Sequence, residues 1–199
     1  FRKPVVVATG IRSGTPDITA VGPDWVAYDP AKDTVHTAAE PAGVDAQVTV
    51  EGGRTAALQQ PGPSAPTVVV ESASRAVQVP LDGGASPGGV VVGEQVNRVP
   101  GATLVTRPVV LDGCVHAAWA EQGRVFYGVN CGRTGDQPTA TLPAEGEEAT
   151  RDGVAFRVNR GLIVLNDLDN GGVWDLDDKP KKIDNWDALT PPTTKDDKD

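Results

Sequence analysis

Short apolar runs punctuated by turn residues recur along the whole chain. Four of them, Trp25-Val26-Ala27-Tyr28, Ala76-Val77-Gln78-Val79, Val125-Phe126-Tyr127 and Val173-Trp174-Asp175-Leu176, set anchor valines at positions 26, 77, 125 and 173. A self-similar period of about fifty residues marks a repeat architecture, in which each unit buries its apolar face against the next. Each unit reads as short strands bounded by Gly, Pro and Asp, because period-two alternation sends side chains to opposite faces and these residues accept the dihedrals of a reversal. The first unit offers strands over Pro4 to Ala8, Asp17 to Val21, Trp25 to Asp29 and Thr34 to Ala38. The second offers Thr55 to Gln59, Thr67 to Glu71, Ala76 to Leu81 and Gly89 to Gly93. The third offers Arg107 to Leu111, Cys114 to Ala120, Arg124 to Cys131 and Thr139 to Pro143, and the fourth Val154 to Val158, Leu162 to Asp167, Val173 to Asp177 and Lys181 to Trp186.

Four strands per unit predict an all-β chain of four blade-like repeats of antiparallel strands, either a β-propeller or half of one. A tandem β-sandwich of the Ig or fibronectin kind is the competing architecture, but its domains run to about 100 residues and would give two units. The expected organisation is a repeat domain over 1–190, in units of about 1–52, 53–104, 105–152 and 153–190, followed by a charged linker or tail over 191–199. Pro191-Pro192 blocks strand pairing, and the Lys and Asp residues beyond have no apolar neighbour to bury, so the tail is expected to leave the domain. If the chain is half a propeller, the missing blades lie upstream.

Composition changes this picture in two respects. With 23 Gly, 17 Pro and no Met among 199 residues, the mixture disfavours long helices and supports short strands with frequent turns. A formal charge of −9 argues against the basic patch that nucleic acid or an anionic membrane surface requires, so neither is an expected partner. No apolar run approaches the ~18 residues of a membrane-spanning helix, and Phe1 opens directly on a strand-like run. The segment is therefore expected to be soluble, without a signal peptide and without direct membrane insertion.

Cys114 and Cys131 flank a hairpin whose tightest turn is Gln122-Gly123. Opposed positions in a two-residue hairpin sum to a constant, here 245, and 114 and 131 satisfy it. Counting outward from the closing pair Glu121 and Arg124 puts the cysteines on a non-hydrogen-bonded pair, where strands approach closely enough for a disulfide. A bridge between the only two cysteines points to an oxidising compartment. The same register sets Trp119 opposite Phe126 and Ala118 opposite Tyr127, aromatic pairings whose ordinary place is the core between blades.

Candidate chemistry is thin. Asp167-Leu168-Asp169-Asn170-Gly171 resembles the opening of a calcium loop and makes Asp167 and Asp169 candidate ligands, but Asp178 stands where a late bidentate Glu belongs. Asn170-Gly171 is also the preferred type I′ turn, which pairs Asp169 with Gly172, Leu168 with Val173 and Asp167 with Trp174. The strand pattern favours the turn, with no metal and no cofactor. Nucleophile elbows, zinc-protease helices, phosphate loops and dinucleotide fingerprints are all missing, and no catalytic residue is assigned. His36 is expected to be exposed on its strand and His116 to be a satisfied sheet residue. Trp25 and Trp186 are the candidate stacking surfaces for a glycan. A glycoside hydrolase, the least favoured alternative, needs two carboxylates held some ~5 to 9.5 Å apart.

Asn159-Arg160-Gly161-Leu162-Ile163-Val164-Leu165-Asn166-Asp167, then Gly172-Val173-Trp174, then Ile183-Asp184-Asn185-Trp186-Asp187 and the Pro-Pro linker resemble a segment of large actinobacterial surface proteins. In those proteins the segment precedes fibronectin type III or Ig-like arrays. Leu111-Asp112-Gly113-Cys114 through Ala118-Trp119 and Cys131 is similar to a blade of the same family, so the resemblance covers about the second half of the chain. It implies an extracytoplasmic β-propeller-like region of a membrane-anchored protein and transfers no catalytic residue. The expected function is a non-catalytic binding or structural module at the cell surface. Its expected partners are upstream or downstream segments of the same parent protein, or cell-envelope proteins or glycans; a glycan-binding module is the alternative.

Overall fold

The computed structural model describes residues 11, 16–46, 48, 56–73, 75–82, 91–94, 104–121, 124–131, 140–143, 153–159, 161–169, 171–177 and 180–183. These residues form four antiparallel sheets, each built from strands consecutive in the chain, with no helix among them and so none long and apolar enough to cross a membrane. The first sheet comprises β1 (Asp17–Val21), β2 (Asp24–Asp29), β3 (Thr34–Thr37) and β4 (Val44–Asp45). The second comprises β5 (Ala57–Leu58), β6 (Thr67–Glu71), β7 (Arg75–Pro80) and β8 (Val91–Glu94). In the third, β9 (Leu104–Val105) and β10 (Val109–Leu111) share one neighbour, β11 (Cys114–Glu121), which continues to β12 (Arg124–Asn130) and β13 (Ala140–Pro143). The fourth comprises β14 (Val154–Asn159), β15 (Leu162–Asp167), β16 (Val173–Asp175) and β17 (Lys181–Ile183).

The predicted strands of the last three units coincide closely with the last three sheets. The first unit is one strand out of phase. Its sheet begins at Asp17 and ends with Val44–Asp45, and the predicted strand over Pro4 to Ala8 lies outside the described residues. Val26 therefore sits on the second strand of its sheet, whereas Val77, Val125 and Val173 sit on the third. The run Trp25 to Tyr28 looks like those third strands in composition, but the reversal at Gly22-Pro23, closed by Val21 and Asp24, makes it the partner of β1.

Three apolar seams join consecutive sheets. Val26, Tyr28 and Val35 meet Leu58, Val68, Val70 and Val77 between the first and second sheets. Val69 and Ala76 meet Val115, Ala117, Trp119 and Phe126 between the second and third. Ala118, Val125 and Tyr127 meet Phe156, Ile163, Leu165 and Trp174 between the third and fourth. The second and third sheets are thus buried on both faces, which is why Val68-Val69-Val70 and Ala117-Ala118-Trp119-Ala120 are unbroken apolar runs. On β15 only alternate residues, Ile163, Leu165 and Asp167, are buried.

The hairpins follow the same division. In the second and third sheets the closing pairs, Ser72 with Arg75 and Glu121 with Arg124, leave two residues between them. In the first and fourth, Asp29 pairs with Thr34 and Asp167 bonds to Gly172, leaving four. The predicted pairing of Asp167 with Trp174 is therefore shifted by two residues, and Trp174 lies opposite Leu165. The cause is the aspartate that opens each long loop. Asp167 Oδ1 accepts the Asp169 N–H at 2.9 Å, as Asp29 Oδ1 accepts the Ala31 N–H at 3.0 Å, and these local turns outcompete a tighter reversal. Each loop closes on a left-handed residue, Gly171 at φ +70° and Asp33 at φ +53°. A shift of two leaves every side chain on its face, so Trp174 still enters the core.

Candidate functional site

The first strands of the four sheets, or the residues beside them, are tied to one another. Asp17 at the start of β1 accepts the Leu58 N–H of β5 at 2.8 Å and forms an ion pair with Arg107, just before β10. Gln60, just after β5, donates its N–H to the Pro108 carbonyl at 2.8 Å and its side-chain amide to the Phe156 carbonyl of β14 at 3.1 Å. Gly62 pairs with Val21 in an isolated parallel bridge, donating to Ala20 O at 3.1 Å and accepting from Gly22 at 2.9 Å. One short link after β5 thus reaches the other three sheets. The Asp17 and Arg107 side chains are 18% and 43% exposed, so their attraction is screened and contributes about 1 kcal/mol or less. Both Asp17 carboxylate oxygens accept hydrogen bonds, and these fasten β1 to β5 and to Arg107.

Cys114 and Cys131 are bridged, with Cα atoms 4.0 Å apart, and the β11–β12 register keeps the sum of 245 along its length. The turn residues Gln122 and Gly123 lie outside the described residues. On the face of β11 turned to the fourth sheet, His116 Nδ1 lies 2.7 Å from the Tyr127 hydroxyl, and the Tyr127 ring meets Phe156 edge-on. Burial lowers the His116 pKa from 6.5 to about 4 and raises that of Tyr127 from 10.0 to about 12, so both are neutral at pH 7. His116 is the satisfied sheet residue that its strand position suggests.

His36 is not exposed. It is buried against the reversal after β3, where its Nδ1 donates to Pro41 O and its Nε2 shares a hydrogen bond with the Thr34 hydroxyl, both at 3.1 Å. Gly43, at φ +96°, lets the chain cross over the ring: a Cβ there would stand 2.7 Å from His36 Cε1. Strand alternation could not show this cover, which comes from a loop.

Asp167 is buried and holds its own turn, while Asp169 is exposed. Among the described residues, no three His, Cys, Asp or Glu side chains gather so as to hold a metal ion. Trp25 is half-buried on the face of the first sheet turned away from the second, opposite Ala20 and beside the exposed Asp24. Trp186 lies outside the described residues. Trp119 and Trp174 are buried in the seams.

Glu71 is a functional candidate that strand reading passes over. It ends β6 on the face turned to the third sheet, is fully buried, and neither carboxyl oxygen makes a hydrogen bond of ordinary geometry. Desolvation raises its pKa well above 4.5, against the opposing pull of the Thr106 and Ala118 N–H groups. The visible signal was a charged residue on the parity of Val69, which matters only once the sheet is known to be buried on both faces. Sealed in this way, Glu71 is inaccessible to a substrate. No protein-family model matches the chain, and no curated protein matches it significantly.

Proposed function

We propose that the chain is a non-catalytic binding or structural module that works outside the cytoplasm, its four sheets arranged as the blades of a small four-bladed propeller. The observation that carries the architecture is the pair of ties that skip a sheet: Asp17 to Arg107, first to third, and Gln60 to Phe156, second to fourth. In half of a larger ring the first strands lie along an open arc, where an intervening blade keeps alternate ones apart. A tandem sandwich has no common axis at all. Direct bonds between alternate sheets suit four blades around a narrow centre. The cross-strand disulfide supports an oxidising setting. A resemblance to the propeller-like region of actinobacterial surface proteins supports a place in a larger parent, with neighbouring segments of that parent as the principal partners.

Joining the chain to its flanking parent sequence is expected to raise its melting temperature, and a panel of glycosides is expected to be left intact. A chain that hydrolyses a glycoside, or gains nothing from its neighbours, overturns this reading. Glycan binding has one specific observation in its favour, the half-buried Trp25 beside the exposed Asp24 and near Ile18, which is 63% exposed. Binding on a glycan array that Trp25→Ala abolishes would establish that second reading.

A further inference from the structure

We propose that the Glu71 carboxyl is a proton-held latch between the second and third sheets, closed while the acid carries its proton and opened when the proton leaves. The side chain is fully buried against a break in the third sheet. There β11 pairs with β9 at Trp119 and Ala120 and with β10 at Cys114 to His116, and Thr106 to Pro108 between them join neither ladder. Pro108 has no N–H to offer. Thr106 and Ala118, both at this break, are the backbone donors that act on the carboxyl, and burial outweighs them.

Among the described residues, no cation is placed to neutralise an ionised Glu71. Arg75, on its own hairpin, turns its guanidinium to Val48 O at 3.4 Å, and Glu94 of β8 holds the register position beside Arg75. Arg107 is engaged by Asp17, Arg124 at the head of β12 is exposed, and His116 lies on the opposite face of β11, bound to Tyr127. Gln59, just after β5, also has its side-chain amide nitrogen buried without a partner. An unpaired carboxylate in such surroundings loses far more hydration than two N–H groups return. A closed seam and a charged Glu71 therefore exclude each other. Among the described residues this seam is also the thinnest of the three, with six buried apolar residues against twelve between the third and fourth sheets.

The direction follows from a folded-state pKa raised above the unfolded one. Stability is full below the ordinary glutamate pKa of 4.5 and falls as pH rises, because the open chain ionises first, until the folded pKa is passed. Across that window the ratio of closed to open forms drops about tenfold per pH unit. The test combines infrared spectroscopy with hydrogen exchange between pH 5 and 9, corrected for intrinsic rates, on the wild type and Glu71→Gln. At pH 7 the wild type is expected to show a protonated-carboxyl C=O band that Glu71→Gln lacks. Protection at Val69, Val115 and Ala117 is expected to fall with pH in the wild type alone, with Ile163 and Leu165 less affected. An absent band, or seam protection that does not change with pH in the wild type, overturns the proposal even if the variant fails to fold. Equal pH dependence in the two proteins overturns it as well.

Discussion

The seam between the second and third sheets and the seam between the third and fourth use the two faces of one strand, β11, yet differ in substance. Val115, Ala117 and Trp119 point one way into a small cluster that also encloses Gln59 and Glu71. His116, Ala118 and Ala120 point the other way, where Tyr127, Phe156, Ile163, Leu165 and Trp174 build the largest core. The thin seam holds a buried acid kept neutral, and the thick one a buried base kept neutral beside the neutral Tyr127 phenol. Their linkages run in opposite directions: the acid makes its seam fail as pH rises, the base as pH falls. A strand buried on both faces can thus carry two cores of unlike strength without any change in its backbone.

The largest test of this contrast is to empty the thick seam. Phe156→Ala removes a fully buried ring that the Tyr127 side chain meets edge-on, and is expected to cost about 3 to 5 kcal/mol, read from the shift in urea midpoint. Val69→Ala in the thin seam removes two methyl groups and is expected to cost about 1 to 2 kcal/mol. Equal losses would mean that the two seams share their load through β11.

The disulfide tests both seams together. Its seventeen-residue separation spans the hairpin whose faces build them, so replacing both Cys114 and Cys131 by Ala is expected to cost about 3 kcal/mol in the chain-entropy model, and less where the unfolded hairpin keeps structure. Hydrogen exchange at Trp119 and Ala120, which face opposite seams, is expected to rise together. A rise confined to Ala120 would confine the bridge to the thick seam.

The acid limb follows from His116. Its folded pKa of about 4 lies below the ordinary 6.5, so the stability it contributes is present above pH 6.5 and is lost as pH falls towards 4. The loss is on the order of 3 kcal/mol. In a Glu71→Gln background, which removes the opposing linkage of the acid, denaturation midpoints taken from pH 7 to 4 are expected to fall, and to flatten when His116→Phe is added. An unchanged acid limb in that variant would move the titrating group elsewhere.

Much of this was readable from residue order because short turns fix register. The two residues between Glu121 and Arg124 determine every pair out to Cys114 and Cys131. Where a side chain competes with the backbone the arithmetic fails, as at Asp167, whose carboxylate captures the Asp169 N–H and lengthens the loop to four. Burial by distant segments is harder still. Nothing beside His36 announces that Gly43 will bring a loop over it, and nothing beside Glu71 announces the break between β9 and β10 that faces it. Gln60 reads as an ordinary residue after a strand, although its two amide groups bind the third and fourth sheets. Such ties join residues far apart in the chain, and local pattern carries no record of them.

The smallest and sharpest comparison sets one tryptophan in each seam against the other. Trp119 donates its indole N–H to Ser72 O at 2.8 Å, whereas the indole nitrogen of Trp174 is buried with no partner. Replacement by Phe removes similar volume at both places, so the cavity cost should largely cancel between them. What remains is the polar difference. Trp119→Phe loses a buried hydrogen bond, a net contribution of about 1 kcal/mol, while Trp174→Phe removes a donor whose desolvation is uncompensated, a gain of about 1 kcal/mol or more against the same cavity. Trp119→Phe is therefore expected to be the more destabilising by about 1 to 2 kcal/mol in matched urea titrations, although it lies in the thinner seam. If Trp174→Phe proves the costlier, apolar volume governs both seams and the polar contrast between them does not reach stability.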